Sequence, residues 1–159
     1  MQIRAIRDEE ADALGALTVR VYEAIGATDD EYTPELLDVR SRMETCDVLV
    51  AIVDGEVAGG VAFVPGPGPW SDLASDEECE FRMLVVDPAH RGLGIGAALT
   101  RECIERAKAS GKARLVILSD PEMTVAHGMY ERMGFVRTPE RDWHYRPGLT
   151  LRCYVMPLR

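Results

Sequence analysis

The feature that most constrains this chain is the passage from an apolar run into three closely spaced glycines. Residues Phe81 to Val86 are typical of a β-strand, and Gly92, Gly94 and Gly96 follow after a short connection that contains a proline. A long amphipathic pattern begins directly after the glycines and continues to Gly111. The stretch therefore predicts a strand, a glycine loop and a helix in immediate succession.

A loop of this kind is suited to binding phosphate. Glycines leave consecutive backbone amides uncovered by side chains, and the start of a helix adds unpaired amides and the positive end of its dipole. An ordinary tight turn is the alternative, but a basic residue directly before the first glycine favours a pyrophosphate site. The predicted ligand-binding residues are Arg91, Gly92, Leu93, Gly94, Ile95, Gly96 and Ala97.

The length and composition predict a single domain over residues 1–159. The chain is 47% hydrophobic and 28% charged, as in soluble globular proteins, and no apolar run approaches the roughly 20 residues that a membrane helix needs. The N-terminal residues show no signal-peptide pattern. We therefore expect a cytoplasmic protein without a membrane partner. The scattered cysteines suggest free thiols, and no metal site is predicted: Cys46, Cys79, Cys103 and Cys153.

Charge is distributed unevenly along the chain. The net charge of −9 disfavours a nucleic-acid partner. Basic residues predominate between Ala89 and Arg114, whereas the segment from Ser71 to Glu80 contains five acidic residues and no basic one. The first segment suits an anionic cofactor and the second a cationic amine, although solvent-exposed faces also produce such runs.

The order of predicted elements indicates an α/β fold with a mixed, mostly antiparallel sheet and helices on both faces. Asp54-Gly55 between two β-rich runs predicts an antiparallel hairpin, and the helix after the glycines predicts a parallel crossover. The predicted strands are Gln2–Ile6, Val48–Val53, Glu56–Val64, Cys79–Val86, Arg114–Ser119, Phe135–Arg137 and Leu151–Met156, and the predicted helices begin at Asp8, Thr33, Ile95 and Asp120.

A dinucleotide-binding fold is an alternative that the glycines also permit. Gly92-x-Gly94-x-x-Ala97 satisfies the pattern G-x-G-x-x-G/A, and Asp120 follows near the end of the next strand. The first glycine, however, stands too far from its strand, with Pro88 in between, and the upstream hairpin is not a βαβ unit. These features make a doubly wound sheet the weaker interpretation.

Two motifs together resemble the GCN5-related N-acetyltransferase (GNAT) superfamily. The first is Arg91-Gly92-x-Gly94-x-Gly96 after a strand that ends in Val-x-Pro, and the second is Ala126-x-x-Met129-Tyr130-Glu131-Arg132-Met133-Gly134-Phe135. The order of elements resembles that family over essentially the whole chain. One departure is Met123, which stands where many members have asparagine. The resemblance implies the single-domain acyl-CoA N-acyltransferase fold.

The resemblance also implies a reaction: transfer of an acetyl group from acetyl-CoA to an amine of a small molecule or protein. It implies that the splayed strand at Leu84, Val85 and Val86 pairs with the pantetheine arm, and that Tyr130 protonates the departing thiolate. A CoA-binding sensor or interaction module without turnover is the alternative, which Met123 supports. The identity of the amine and the formation of a homodimer stay open.

The general base is predicted from strand alternation. Glu80 falls on the same predicted face as Leu84 and Val86, which would bring its carboxylate near the reacting amine. A Glu80 that is merely paired with Arg82 at the surface is the alternative. The rival bases are Glu77, Glu78 and His144. Substrate contacts are also expected from the connections Ala27–Tyr32 and Asp142–Tyr145.

Overall fold

The computed structural model describes all 159 residues, and its helices and strands follow the predicted order. The helices are α1 (Ala11–Ala24), α2 (Thr33–Leu37), α3 (Val39–Thr45), α4 (Ile95–Ala109) and α5 (Thr124–Met133). The strands are β1 (Gln2–Ala5), β2 (Asp47–Val53), β3 (Glu56–Val64), β4 (Glu78–Val86), β5 (Arg114–Ser119), β6 (Val136–Arg137), β7 (Trp143–Arg146) and β8 (Leu149–Pro157). Short 3₁₀ turns occupy Asp8–Glu10, Pro88–His90 and Pro139–Arg141.

The strands form a mixed sheet in the order β1-β2-β3-β4-β5-β8-β6, with β7 paired to β8. The β4–β5 pair is parallel, and every other pair is antiparallel. At the β2–β3 hairpin, Asp54 and Gly55 both have positive φ, as a two-residue turn between twisted strands requires. The mostly antiparallel sheet confirms the predicted fold class and excludes the doubly wound sheet of a dinucleotide-binding fold.

Helices cover both faces of the sheet, also as predicted. On one face Leu99 and Cys103 of α4 and Tyr130 of α5 pack in a cluster of 18 buried residues with strand side chains. On the other face, Leu14 of α1 and Val39 of α3 belong to a second cluster of 10 buried residues. Each helix is amphipathic, so its apolar stripe is buried against one face of the sheet. No helix combines the length and apolarity needed to cross a membrane.

Some predicted boundaries are wrong because local polar contacts decide them. The segment from Asp120 was predicted to begin a helix, but the Asp120 carbonyl accepts from the Met123 amide at 3.0 Å in a turn, and α5 begins only at Thr124. The helix from Thr33 is interrupted at Asp38, whose side chain caps α3 by accepting from the Ser41 amide. Strand β7 was not predicted, because all four of its residues are exposed and lack an apolar alternation.

A β-bulge in β4 overturns the predicted alternation of its side chains. Met83 has φ +57°, and the pairing with β3 skips between Gly60 and Ala62, so β4 contains one extra residue at this point. Downstream of an inserted residue the two faces of a strand exchange. Glu80 therefore lies on the opposite face from Leu84, and its predicted place beside Leu84 and Val86 is wrong.

We expect Gly59→Ala to destabilise the fold by about 1–3 kcal/mol, the usual effect of overpacking. A Cβ at Gly59 would lie 2.8 Å from the Val85 carbonyl oxygen and 2.8 Å from Ile95 Cγ2, where β3 meets α4. Urea unfolding monitored by circular dichroism measures the change. The control is Gly68→Ala, since its Cβ meets nothing within 4 Å. Equal stability of the two variants would contradict close packing at Gly59.

Candidate active site

A cavity opens where the two parallel strands of the sheet separate. Strands β4 and β5 pair from Glu78–Arg114 to Glu80–Val116 and then diverge without further pairing. Side chains from both strands, including Leu84 on one side, line a cavity of about 100 Å³ between them. Strand β5 stays in place because its other edge pairs with β8 over its full length. The predicted splay of the two strands is thus present.

Tyr130 presents a polar group to this cavity. Its side chain is 4% exposed, and its ring packs against Phe81, Phe135 and Tyr154 with centroids 5.5–5.9 Å apart. Its hydroxyl makes no hydrogen bond within the chain, although the residue lines the cavity. Burial holds the pKa of the Tyr130 phenol well above its usual range, so the hydroxyl stays protonated at neutral pH. Tyr130 therefore offers an unused donor.

The glycine loop presents a row of unpaired donors at the end of β4. Gly92 and Gly94 have φ of +83° and +76°, and α4 begins directly after them. None of the amides from Gly92 to Ala97 donates to an acceptor of the chain, and the exposed Arg91 guanidinium forms no ion pair. Backbone amides and a cation arranged in this way can hold a pyrophosphate.

The other predicted binding residues contribute unequally. The side chains of Val85 and Ile95 are 1% and 2% exposed within the core, so only their backbone can contact a ligand. Leu93 is 54% exposed on the loop, and Leu84 lines the cavity. A Cβ at Gly96 would lie 3.7 Å from Val86 Cγ2, which places the glycine loop against the end of β4.

Glu80 holds a loop and has no access to the cavity. Its carboxylate is fully buried and accepts hydrogen bonds from the Ser71 hydroxyl and from the amides of Asp72, Leu73 and Ala74 at 3.0–3.2 Å. Such a carboxylate cannot reach an amine unless the loop opens. The structure therefore does not support the prediction of Glu80 as general base and gives it a structural role.

The rival bases also lie outside the cavity. Glu78 is buried and pairs with Arg114 and Arg141 at 2.7 Å, and these hydrogen bonds, with that to Arg141 the strongest, hold the pKa of Glu78 well below its usual range. Glu77 is exposed, and the exposed His144 contacts the Thr150 hydroxyl at 2.8 Å. None of these groups faces the space between β4 and β5.

Four residues join the cavity to a wider, open cleft of about 600 Å³. The Asp72 carboxylate pairs with Arg82 Nε at 2.9 Å, and Arg82 also donates to the Tyr32 hydroxyl at 3.3 Å. Tyr145 of β7 packs near Tyr32, with ring centroids 6.2 Å apart. Tyr32 and Tyr145 lie in connections expected to contact substrate, whereas Asp72 was predicted only as one acid among five. The alternative in which Glu80 pairs with Arg82 is wrong, because Arg82 pairs with Asp72.

Met123 also lines the cavity, at the N-terminal end of α5. Its backbone adopts φ −84° and ψ 56° at the cap position, and no side chain caps the helix there. The thioether brings an apolar group to the wall where an asparagine would have brought an amide. The polar contacts of the cavity must therefore come from other residues.

Comparison with known proteins identifies relatives in sequence. The family model described as the acetyltransferase (GNAT) family matches residues 11–135. The N-acetylaspartate synthetase of Danio rerio is 34% identical over 101 residues, which are 64% of this chain and 33% of that protein. The chain therefore spans about a third of the length of the curated relatives it matches.

Solved structures share the fold over its full extent. An acetyltransferase of the GNAT family from Staphylococcus aureus Mu50 superposes with a TM-score of 0.79 at 16% identity, over 99% of each chain. The candidate acetyltransferase yncA of Salmonella typhimurium, solved with its cofactor acetyl-CoA, gives 0.73 at 21% identity, over 100% of this chain and 94% of that one. This likeness confirms the predicted acyl-CoA N-acyltransferase fold.

We expect Glu80→Gln to loosen the loop it holds and to lower the free energy of unfolding by about 1–3 kcal/mol. Glutamine removes the negative charge from an acceptor that binds four donors, and its amide NH2 group replaces one carboxylate oxygen, so each remaining hydrogen bond is weaker. Hydrogen exchange should accelerate at Leu73 and Ala74, and urea unfolding measures the stability. The control is Glu77→Gln, since the Glu77 side chain is 72% exposed. Unchanged exchange at both amides would contradict this role of Glu80.

Proposed function

The chain belongs to the acetyltransferase (GNAT) family, and from this premise we propose that it transfers an acetyl group from acetyl-CoA to a primary amine. The observation that carries the proposal is the Tyr130 hydroxyl. The Tyr130 ring is buried, and its hydroxyl lines the cavity that opens between β4 and β5 with no hydrogen-bond partner in the chain. A donor that lines a mostly apolar cavity and has no partner in the chain is available to a ligand.

Acetyl-CoA fits the groups that surround this cavity. The amides from Gly92 to Ala97, together with Arg91, would hold the pyrophosphate, because they are donors without acceptors at a helix start. The unpaired edge of β4 around Leu84 would hydrogen-bond the amides of the pantetheine arm as an added strand does. This path leads from the glycine loop to Tyr130.

The thioester supplies an activated acetyl group, and the chain has to manage protons around it. Attack by an amine needs a neutral nitrogen, and departure of the thiolate needs a donor. Tyr130 serves as that donor, because burial holds its pKa above its usual range and keeps the phenol protonated. The thiol of CoA should have a pKa near that of cysteine, about 8.5, so Tyr130 acts through a strong hydrogen bond as charge develops on sulfur.

We do not propose aspartate, the acceptor that the name of the relative implies, as the acceptor of this chain. The name N-acetylaspartate synthetase describes a product with two carboxylates. Here the open cleft is lined by Glu35, Asp38 and Asp72, and its one basic side chain, Arg82, is already paired with Asp72. A dianionic acceptor would meet repulsion at this entrance.

We expect Arg91→Gln to weaken acetyl-CoA binding by about tenfold or more, since a charge-assisted contact with phosphate contributes roughly 1.5–3 kcal/mol. Isothermal titration calorimetry measures the affinity. The control is Arg101→Gln, which removes an exposed arginine without an ion pair from the same helix region. Equal affinity in both variants would mean that the phosphates bind elsewhere. Binding of NAD in place of acetyl-CoA would contradict the proposed co-substrate.

We expect Tyr130→Phe to lower kcat by about 10²-fold while acetyl-CoA affinity and thermal stability barely change. Phenylalanine keeps the buried ring contacts and removes only the hydroxyl. Release of the free CoA thiol, followed with a panel of amines, measures turnover. A Tyr130→Phe variant with the kcat of the parent would show that Tyr130 only packs in the core. A parent protein that binds acetyl-CoA but releases no thiol with any amine would favour the non-catalytic module.

A further inference from the structure

Asp72 stands at the point where the inner cavity between β4 and β5 meets the open cleft, and it lines both. We infer that Asp72 binds the amino group of the acceptor and takes up its proton, and that the acceptor is a primary amine that arrives as a cation. This inference rests on the proposed function and adds to it the acceptor class and the base.

The Asp72 carboxylate is held in a fixed position with one oxygen left over. Arg82 Nε contacts Oδ2 at 2.9 Å, whereas Oδ1 accepts no hydrogen bond from the chain. The backbone of Asp72 is fixed as well, because its amide donates to the buried carboxylate of Glu80 at 3.1 Å. Glu80, first predicted as the base, is thus a positioning residue for Asp72.

A second group points independently to a ligand in the same space. Tyr130 is 4% exposed and lines the inner cavity with a hydroxyl that has no partner in the chain. Asp72 Oδ1 is a free acceptor, and the Tyr130 hydroxyl is a free donor. An amine that attacks a thioester needs both, an acceptor for its own proton and a donor for the leaving sulfur.

The charges around Asp72 favour a cationic ligand. The cleft is lined by Glu35 and Asp38 in addition to Asp72, and by one cation, Arg82. The donors of Arg82 already contact Asp72, the Trp70 carbonyl at 2.9 Å and the Tyr32 hydroxyl. The cleft therefore carries a net negative charge and has no free cation for an anionic acceptor.

Burial gives Asp72 the properties of a base near neutral pH. Desolvation raises the pKa of the Asp72 carboxyl to about 6; Arg82 opposes this shift, and Glu80 and Glu35 reinforce it. Tyr32 and Tyr145 also face the site, and burial raises the pKa of both phenols, so neither titrates near neutral pH. A carboxyl of this kind is charged at pH 7 and accepts a proton readily.

The proton balance closes with these two residues. The ammonium first gives one proton to Asp72 Oδ1, which passes it to solvent through the open cleft. The neutral nitrogen then forms the bond to the acyl carbon, the carbon–sulfur bond breaks, and the electron pair leaves with sulfur. The Tyr130 hydroxyl donates a hydrogen bond to the sulfur as charge develops there, and it relays to the sulfur the second proton that the nitrogen loses, so that no free phenolate forms. The products are one amide, one CoA thiol and one released proton.

The first test is the pH dependence of kcat/KM for the amine at saturating acetyl-CoA, which reports the ionisation of Asp72 before the amine binds. The parent should show an acid limb with a midpoint near pH 6, because activity requires ionised Asp72. Asp72→Asn should lower kcat by about 10²-fold and abolish this limb with acetyl-CoA affinity retained, whereas Asp72→Glu should keep the limb. The control is Asp76→Asn in the same connection, since Asp76 is exposed.

An Asp72→Asn protein with a kcat within twofold of the parent, or with the acid limb intact, would overturn the assignment. If Asp72→Asn does not fold, Asp72→Glu and the parent profile decide: a parent without a limb near pH 6 contradicts the proposal. Absence of thiol release from the parent with every amine would instead count against the proposed function itself.

The second test compares three acceptors that differ in charge. All three acceptors have a primary amine: pentan-1-amine, 1,5-diaminopentane and aspartate. The diamine carries one additional positive charge, pentan-1-amine carries no additional charge, and aspartate carries two negative charges. We expect the diamine to have at least a tenfold higher kcat/KM than aspartate, and added salt to reduce the advantage. A preference for aspartate would refute a cationic acceptor while leaving acetyl transfer intact.

Discussion

Three residue pairs hold β4 and β5 together, and the functional half of the molecule depends on the pairing ending after the third, Glu80–Val116. If the strands stayed paired, backbone hydrogen bonds would hold them together and no cavity would open between them. Separation is tolerated because β5 is paired along its other edge with β8, and β4 along its other edge with β3. Each strand thus stays paired along its other edge, which limits the cost of separation.

Buried charges hold β4 and β5 together at the end where the two strands are paired. Glu78 begins β4 and binds Arg114 at the start of β5, and Arg141 contacts the same carboxylate through both of its terminal nitrogens. A carboxylate that is 1% exposed is tolerated only with such partners, since an unpaired buried charge is strongly destabilising. Next to it Glu80 gathers the loop from Ser71 to Ala74. These two carboxylates of β4 anchor the surrounding loops and strands, and neither of them lines the cavity.

The bulge at Met83 lies between the anchored part of β4 and its unpaired edge around Leu84. An L-residue in the left-handed region costs roughly 1–2 kcal/mol, and such strain is retained where surrounding structure determines it. Here the extra residue turns Leu84 toward the side of α4 and leaves Arg82 on the side of α1. One strand thereby serves two purposes: its end faces the glycine loop, and its middle holds Asp72 through Arg82.

The sequence by itself determined the order of elements, the mixed sheet and the loop from Arg91 to Ala97, because hydrophobic periodicity and glycine spacing are local signals. It also singled out Tyr130 through a motif that lies on one helix. Only the tertiary structure decided that Asp72 lies where the cavity meets the open cleft and that Glu80 does not line the cavity. A single inserted residue exchanges the faces of β4, and the partners of Glu80 and Asp72 lie 6 to 10 residues away along the chain. Strand alternation does not encode either contact, so the positions of Asp72 and Glu80 relative to the cavity could be recognised only in the folded chain.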